Sequence, residues 1–146
     1  MAEPNIIEFE TRMGKQKISL ERILRFPKGL IGYERLRDFV LLQIKPEVPF
    51  LVLQSLEEPA FGLMVADPYS FIDDFKVRLS DTEQNMLNVD KPEQVSVLVT
   101  VTIPAGKPEE TCLNLSGPIL INHEGRLGLQ VPQTDPDQPG KIFLHK

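Results

Sequence analysis

Apolar residues recur along this chain with a period of two more often than with a helical period. From Gln94 to Ile103, Val95, Val97, Val99, Val101 and Ile103 share one face, and Ser96, Leu98, Thr100 and Thr102 share the other. This is the β-branched alternation of a strand, and it predicts that Val97 and Val99 lie in the core. "IIEFET" alternates through Ile7, Phe9 and Thr11, "KISL" through Ile18 and Leu20, and "RLGLQV" through Leu127, Leu129 and Val131. Four further runs, "DFVLLQI", "PFLVLQSL", "FGLMVAD" and "GPILIN", are apolar on both parities. Such runs predict strands buried on two faces or a core between layers. Glu124-Gly125, between "ILIN" and "LGLQV", is a hairpin signal. Pro118 has no N–H to give to a ladder, so its strand is expected to start there or to lie at an edge.

One segment breaks the alternation. "SDTEQNMLNV" sets Ser80 and Glu83 at the spacing of a capping box, which predicts a short helix from Asp81 to about Asn88. "YERLRDF" is a candidate for a second helical turn. Thirteen prolines and nine glycines spread between short apolar runs suit a mainly β, small single-domain fold. We expect a barrel-like pseudobarrel of mixed sheets with one or two short helices. Residues 1–132 form that domain, and residues 133–146, "QTDPDQPGKIFLHK", are expected to be a loosely ordered tail.

Composition narrows the functional classes. A chain of 146 residues buries roughly 70% of its unfolded surface and needs neither metal nor disulfide to fold. Its 16 basic and 21 acidic residues give a net charge of -5, against the Lys/Arg excess of direct nucleic-acid binders. An acidic surface instead favours encounter with a basic partner. The single cysteine, Cys112 in "ETCLNL", excludes an internal disulfide and reads as a small buried strand residue. "MAEPNIIEFE" lacks the basic and long apolar regions of a signal peptide, and no apolar run approaches the ~20 residues of a spanning helix. A soluble cytoplasmic protein, with no membrane association, is the expectation.

Candidate chemistry is sparse. Gly29 and Gly32 in "KGLIG" lack the spacing of a dinucleotide or phosphate loop and read as turn residues with positive φ. His123 and His145 stand without a cysteine or second histidine at metal-ligand spacing, so no metal or cofactor is expected. His123 reads as a turn residue. Carboxylate pairs occur at Glu57-Glu58, Asp73-Asp74 and Glu109-Glu110. They read as solvated loops or as an acidic contact surface. "VADPYSFIDDF" interleaves Asp67, Asp73 and Asp74 with Tyr69, Phe71 and Phe75, a mixture found in contact patches, although the same aromatics also suit a core. The candidate partner-binding residues are Glu57, Glu58, Asp67, Tyr69, Phe71, Asp73 and Asp74.

"FPKGLIGYE" (Phe26 to Glu34), "PFLVLQSLEEPAFGLMVADP" (Pro49 to Pro68), "NLSGPILIN" (Asn114 to Asn122) and "RLGLQ" (Arg126 to Gln130) together resemble the flagellar assembly factor FliW family, in order and spacing over nearly the whole chain. Tyr33 stands where the family often has Phe, Ser116-Gly117 replaces a usual small residue or two before the proline, and the tail is short and proline-bearing. The resemblance implies a non-enzymatic regulator that binds two partners alternately: cytoplasmic flagellin, and the carbon storage regulator CsrA, an RNA-binding translational repressor. Binding of the repressor, by allosteric antagonism, would relieve repression of flagellin mRNA. Flagellin is expected to present an apolar helical segment to a hydrophobic groove. Two other classes remain: a small β-barrel flavin-binding enzyme, for which Lys76 and Arg78 on "FKVRLS" are the nearest phosphate ligands, and a secretion or pilus adaptor.

Overall fold

The computed structural model describes residues 6–11, 14–43, 47, 49–133 and 140–144. His145 lies outside them. Among the described residues, ten strands and one α-helix follow in the order β1 (Ile6–Thr11), β2 (Gly14–Ser19), β3 (Leu24–Arg25), β4 (Asp38–Gln43), β5 (Phe50–Ser55), β6 (Gly62–Ala66), α1 (Asp81–Leu87), β7 (Ser96–Thr102), β8 (Cys112–Asn122), β9 (Leu127–Gln130) and β10 (Lys141–Phe143). Strands β8, β7, β6, β5, β4, β3 and β9 are hydrogen-bonded in that order, and β9 pairs again with β8 to close a seven-stranded barrel. All neighbours are antiparallel except β3 and β9, which meet in parallel at Arg25 and Leu127. β10 adds to the outside edge of β8, and β1 and β2 form a separate hairpin.

The runs that are apolar on both parities have a structural reason: the barrel wall is covered on both sides. Phe39, Leu53, Val65, Leu98, Ile119 and Ile121 point into one interior cluster with Phe26, Leu30 and Leu36. Outside, Ile18 of β2 covers Val40, Leu42 and Val52. The irregular segment bearing Ile72, Phe75 and Val77 covers Ala66, Val99 and Leu113. Helix α1 lays Leu87 against Leu120 and Leu129. Val99 is fully buried, whereas Val97 is half-buried and Ile103 is exposed at the strand's end. Leu98, on the opposite parity, is buried too.

Ser80 and Glu83 form the expected capping box, and Asn88 ends α1 in the left-handed conformation. Asn122 Nδ2 donates to the Leu87 carbonyl at 2.9 Å, tying the helix end to the barrel. The Glu124-Gly125 turn does join a hairpin, β8 to β9, with Asn122 opposite Leu127 and Arg126 holding the positive φ. Cys112 is a buried strand residue.

Two expectations need correction. Pro118 neither begins its strand nor sits on an edge strand; it lies inside β8. The ladder tolerates it because the pairing skips there: Thr100 faces Asn114 and Leu98 faces Ile119, so Leu115–Pro118 stand opposite Val99 alone. This wide irregularity needs no N–H from the proline. It also turns the strand over, since Leu113 and Leu115 pack on the outside while Ile119 points inside. "YERLRDF" is not a helix: one turn closes from Leu36 N to Tyr33 O at 3.1 Å, and Asp38 already starts β4. In the segment expected to be a loose tail, Lys141–Phe143 pair with Asn114, Leu113 and Cys112 as β10.

Candidate functional site

The barrel has two mouths, and the sequence treats them differently. At one, formed by the end of β3, the start of β4, the end of β5 and the start of β6, the loop 26–37 folds in as a plug. Phe26, Leu30 and Leu36 are buried there, and Phe26 meets Phe39 edge-on with ring centroids 5.2 Å apart. The loop's backbone is fixed at several points. Gly29 has φ of 64°, and a Cβ on it would lie 2.7 Å from backbone atoms of Tyr33 and Glu34. Gly32, with φ of 88°, donates its N–H to Glu34 Oε2 at 3.0 Å. The turn reading of both glycines is thus correct. That bond, with help from Glu34's own backbone N–H, holds the Glu34 carboxyl below the usual carboxylate range. Ile31 N donates to Gln130 Oε1 at 2.9 Å, and Gln130 Nε2 reaches Gly117 O, also at 2.9 Å.

Glu57 and Glu58 belong to this plugged mouth. Glu57 Oε1 accepts from Arg37 N at 2.6 Å and Asp38 N at 2.9 Å. The bond from Asp38, above all, pulls its carboxyl below the ordinary value against the opposing effect of desolvation, with Arg37 N–H and the charges of Arg25 and Arg37 adding to it. Ser55 Oγ accepts from both Glu57 N and Glu58 N at 3.0 Å. The fully buried Gln54 turns its Nε2 to the carbonyls of Ser55, Pro59 and Phe61. Glu57, itself exposed, therefore clamps the β5–β6 turn to the start of β4. Glu58 is exposed and stands 3.8 Å from Arg35.

Asp67 and Tyr69 lie at the other mouth, with Phe71 beside Phe50, because β6 runs from Gly62 beside Gln54 to Ala66 beside Phe50; Asp73 and Asp74 follow them in the chain. Glu57 and Glu58 are thus at the opposite end of the β5–β6 hairpin from Asp67, roughly 15 Å away at ~3.4 Å per residue. Asp67 Oδ1 caps a 3-10 turn by accepting from Tyr69 N at 2.9 Å. Tyr69 is 43% exposed and Phe71 36% exposed. Each nonetheless leans on an inner ring: Tyr69 on Phe75 at 6.1 Å and Phe71 stacked on Phe50 at 6.3 Å. Phe75 alone of the three is buried. Partial burial, then the Asp67 charge, raises the Tyr69 phenol above its usual value. Asp73 and Asp74 are exposed.

Among the described residues this second mouth is left open. A cleft of about 360 Å³ runs between Leu41, Leu51 and Leu98, with Asp67 and Tyr69 on its rim and His123 in its wall. Another cleft of about 360 Å³ adjoins it through Leu41 and His123 and is bordered by Glu21, Arg22, Leu24 and Arg126. Sequence reasoning read His123 only as a turn residue and passed over Arg22 and Arg126. Nothing in local spacing joins residues so far apart; the parallel meeting of β3 and β9 does. Among the described residues no group of three His, Cys, Asp or Glu is placed to hold a metal ion. Lys76 and Arg78 lie on an irregular segment rather than on a strand, and Arg78 N donates to Gln133 Oε1 at 2.9 Å.

The model of the FliW protein family matches residues 8–144. This chain belongs to the FliW family. It is 57% identical over 145 residues to the flagellar assembly factor FliW of Nitratidesulfovibrio vulgaris (strain DP4), covering 99% of this chain and 84% of that one. Against the FliW of Desulfovibrio desulfuricans it is 48% identical over 147 residues, covering 99% and 88%. The crystal structure of a flagellar assembly factor FliW superposes with a TM-score of 0.87 at 32% identity, covering 96% of this chain and 98% of that one. The FliW barrel and its plugged mouth are built from the stretches that carried the resemblance: "FPKGLIGYE" is the plug, and "RLGLQ" supplies Gln130 that pins it.

Proposed function

We propose that this FliW-family chain is a non-enzymatic flagellar assembly factor of the cytoplasm. It binds flagellin and, alternately, the translational repressor CsrA, and by allosteric antagonism relieves repression of flagellin mRNA without touching nucleic acid or membrane itself. The observation that carries this reading is full-length similarity, at 57% identity, to a protein named flagellar assembly factor FliW. The net charge of -5 agrees with it, since an acidic surface steers toward a basic RNA-binding protein. The described helices include none long and apolar enough to cross a membrane.

Within this reading, the exposed Asp73 and Asp74, flanked by Tyr69 and Phe71, form the candidate surface for the repressor. Charges at an interface rim act mainly on the rate of encounter. Asp73→Lys combined with Asp74→Lys should slow association with CsrA and flatten its salt dependence, while flagellin binding changes less. The test is a titration of wild type and double variant against both partners at low and high salt, with melting curves to verify folding. Equal CsrA binding by both proteins discards the patch. Wild type that binds neither partner removes the proposed function.

A further inference from the structure

β10 hangs on the barrel by one edge. After β9 the chain stays beside β8 as far as Gln133, whose N–H donates to Ser116 O at 2.7 Å, and it takes up the same edge again at Gly140, whose carbonyl accepts from Leu115 N at 2.7 Å. β10 is therefore the continuation of β9 along β8, interrupted by residues 134–139. Three residue pairs, Lys141 with Asn114, Ile142 with Leu113 and Phe143 with Cys112, hold it there, and Leu144 N donates to Thr111 O at 2.8 Å. Among the described residues no strand pairs with its outer side. None of its side chains is fully buried: Ile142 and Leu144 are half-buried against Val99, Leu113 and Leu115, whereas Lys141 and Phe143 are exposed. Lys141 Nζ lies 5.7 Å from the centre of the Phe143 ring, a contact within β10 that ties nothing to the barrel. A segment with so few buried contacts opens far more readily than a core strand does.

What β10 covers is better protected than β10 itself. Leu115/Gly140 and Thr111/Leu144 are hydrogen-bonded positions on either side of Leu113/Ile142. Because bonded and non-bonded pairs alternate in an antiparallel ladder, Cys112/Phe143 is a non-bonded pair, the kind that brings side chains closest. The Phe143 ring, 52% exposed, thus flanks Cys112, which is only 5% exposed, while Thr102 flanks it from β7. Closure of the barrel does not involve β10, since it runs through β9 and Ile119–Asn122 farther along β8. We propose that β10 is a detachable strap: it lifts off β8 while the seven-stranded barrel stays closed, frees the β8 edge from Thr111 to Leu115, and uncovers the Cys112 thiol. Closed, the strap shields a strand edge that would otherwise be available to another chain. Open, it presents that edge and the thiol together.

Cys112 is the single cysteine of the chain, so its modification by an aromatic disulfide reagent reads the strap directly in the full-length protein. The rate is compared in wild type, in Ile142→Asp, which sets a charge where β10 meets the barrel, and in Leu53→Ala, which empties a fully buried site in the barrel interior. Ile142→Asp should speed modification about 30-fold or more with the urea midpoint nearly unchanged, while Leu53→Ala should lower the midpoint and leave the rate within about twofold. In wild type the rate should rise with urea at less than about one third of the slope of global unfolding, because lifting a strap exposes little surface. The amides of Leu115 and Leu144 should exchange with solvent at least about tenfold faster than those of Leu53 and Val65. A rate unchanged by Ile142→Asp, a rate raised equally by both substitutions, a urea slope equal to that of global unfolding, or uniform amide exchange would overturn the proposal. If either variant fails to fold, the urea slope and the amide exchange of the wild type decide it alone.

Discussion

The two mouths of the barrel are made from the same strands and serve opposite ends. One is filled by its own chain: Phe26, Leu30 and Leu36 enter it, and Gly29, Glu57 and Gln130 lock the loop that delivers them. The other ends in exposed Asp67, His123 and Arg126 around the half-buried Leu41 and Leu51. Burial is concentrated where the chain seals itself, and clefts are left at the end where, among the described residues, it does not. Substitutions at one end are therefore expected to leave the other undisturbed, since sites so far apart with no shared contacts act independently.

The comparison breaks first at the plug. Phe26→Ala empties a fully buried site at the barrel's closed end and should cost about 3–5 kcal/mol, read as a large drop in the urea midpoint. Gly29→Ala should follow with about 2 kcal/mol or more, since the added Cβ meets backbone at 2.7 Å and φ is positive. A loss below about 0.5 kcal/mol would show that the plug is not rigid. Glu57→Gln gives a smaller effect with a signature in pH. A carboxyl whose folded pKa is depressed contributes stability above its ordinary value of 4.5, and that contribution is lost as pH falls through the lower folded value. The gap in urea midpoint between wild type and Glu57→Gln should therefore narrow from about pH 6 to about pH 3. A gap that is constant across this range would remove the clamp. Smallest of all, His123→Ala at the open mouth should change stability by no more than about 0.5 kcal/mol.

Much of this was legible in the chain. Strand runs apolar on both parities announced a wall covered on two sides, the Ser80/Glu83 spacing announced α1, and Gly29 and Gly32 announced a turn with positive φ. Local chemistry governs each of these. The skipped pairing at Pro118 was not legible, because it depends on how many residues the neighbouring strand sets opposite. The two-residue strand Leu24–Arg25 is too short to show a period. The candidate acidic residues looked like one group along the chain. The strand direction of β6 divides them, leaving Glu57 as a clamp on β4 and sending Asp67 to the far end. The arginines of the open mouth come together only once the barrel closes.

That closure has a consequence for how the protein is made. β3 and β9 are held by one parallel bridge, Arg25 with Leu127, and by Arg25 N to Arg126 O at 2.9 Å. A bond such as Ile31 to Gln130 spans 99 positions. On the ribosome, β4, β5 and β6 can assemble as soon as Ala66 has emerged, yet the seam waits for Leu127, roughly 3–12 s later at ~5–20 residues per second. During that interval the nascent sheet has two unpaired edges and an uncovered apolar face, the features that recruit neighbouring chains. Contacts so distant in sequence also make for slow folding. The seam that sets one wall of the open mouth is thus the last part of the barrel to close.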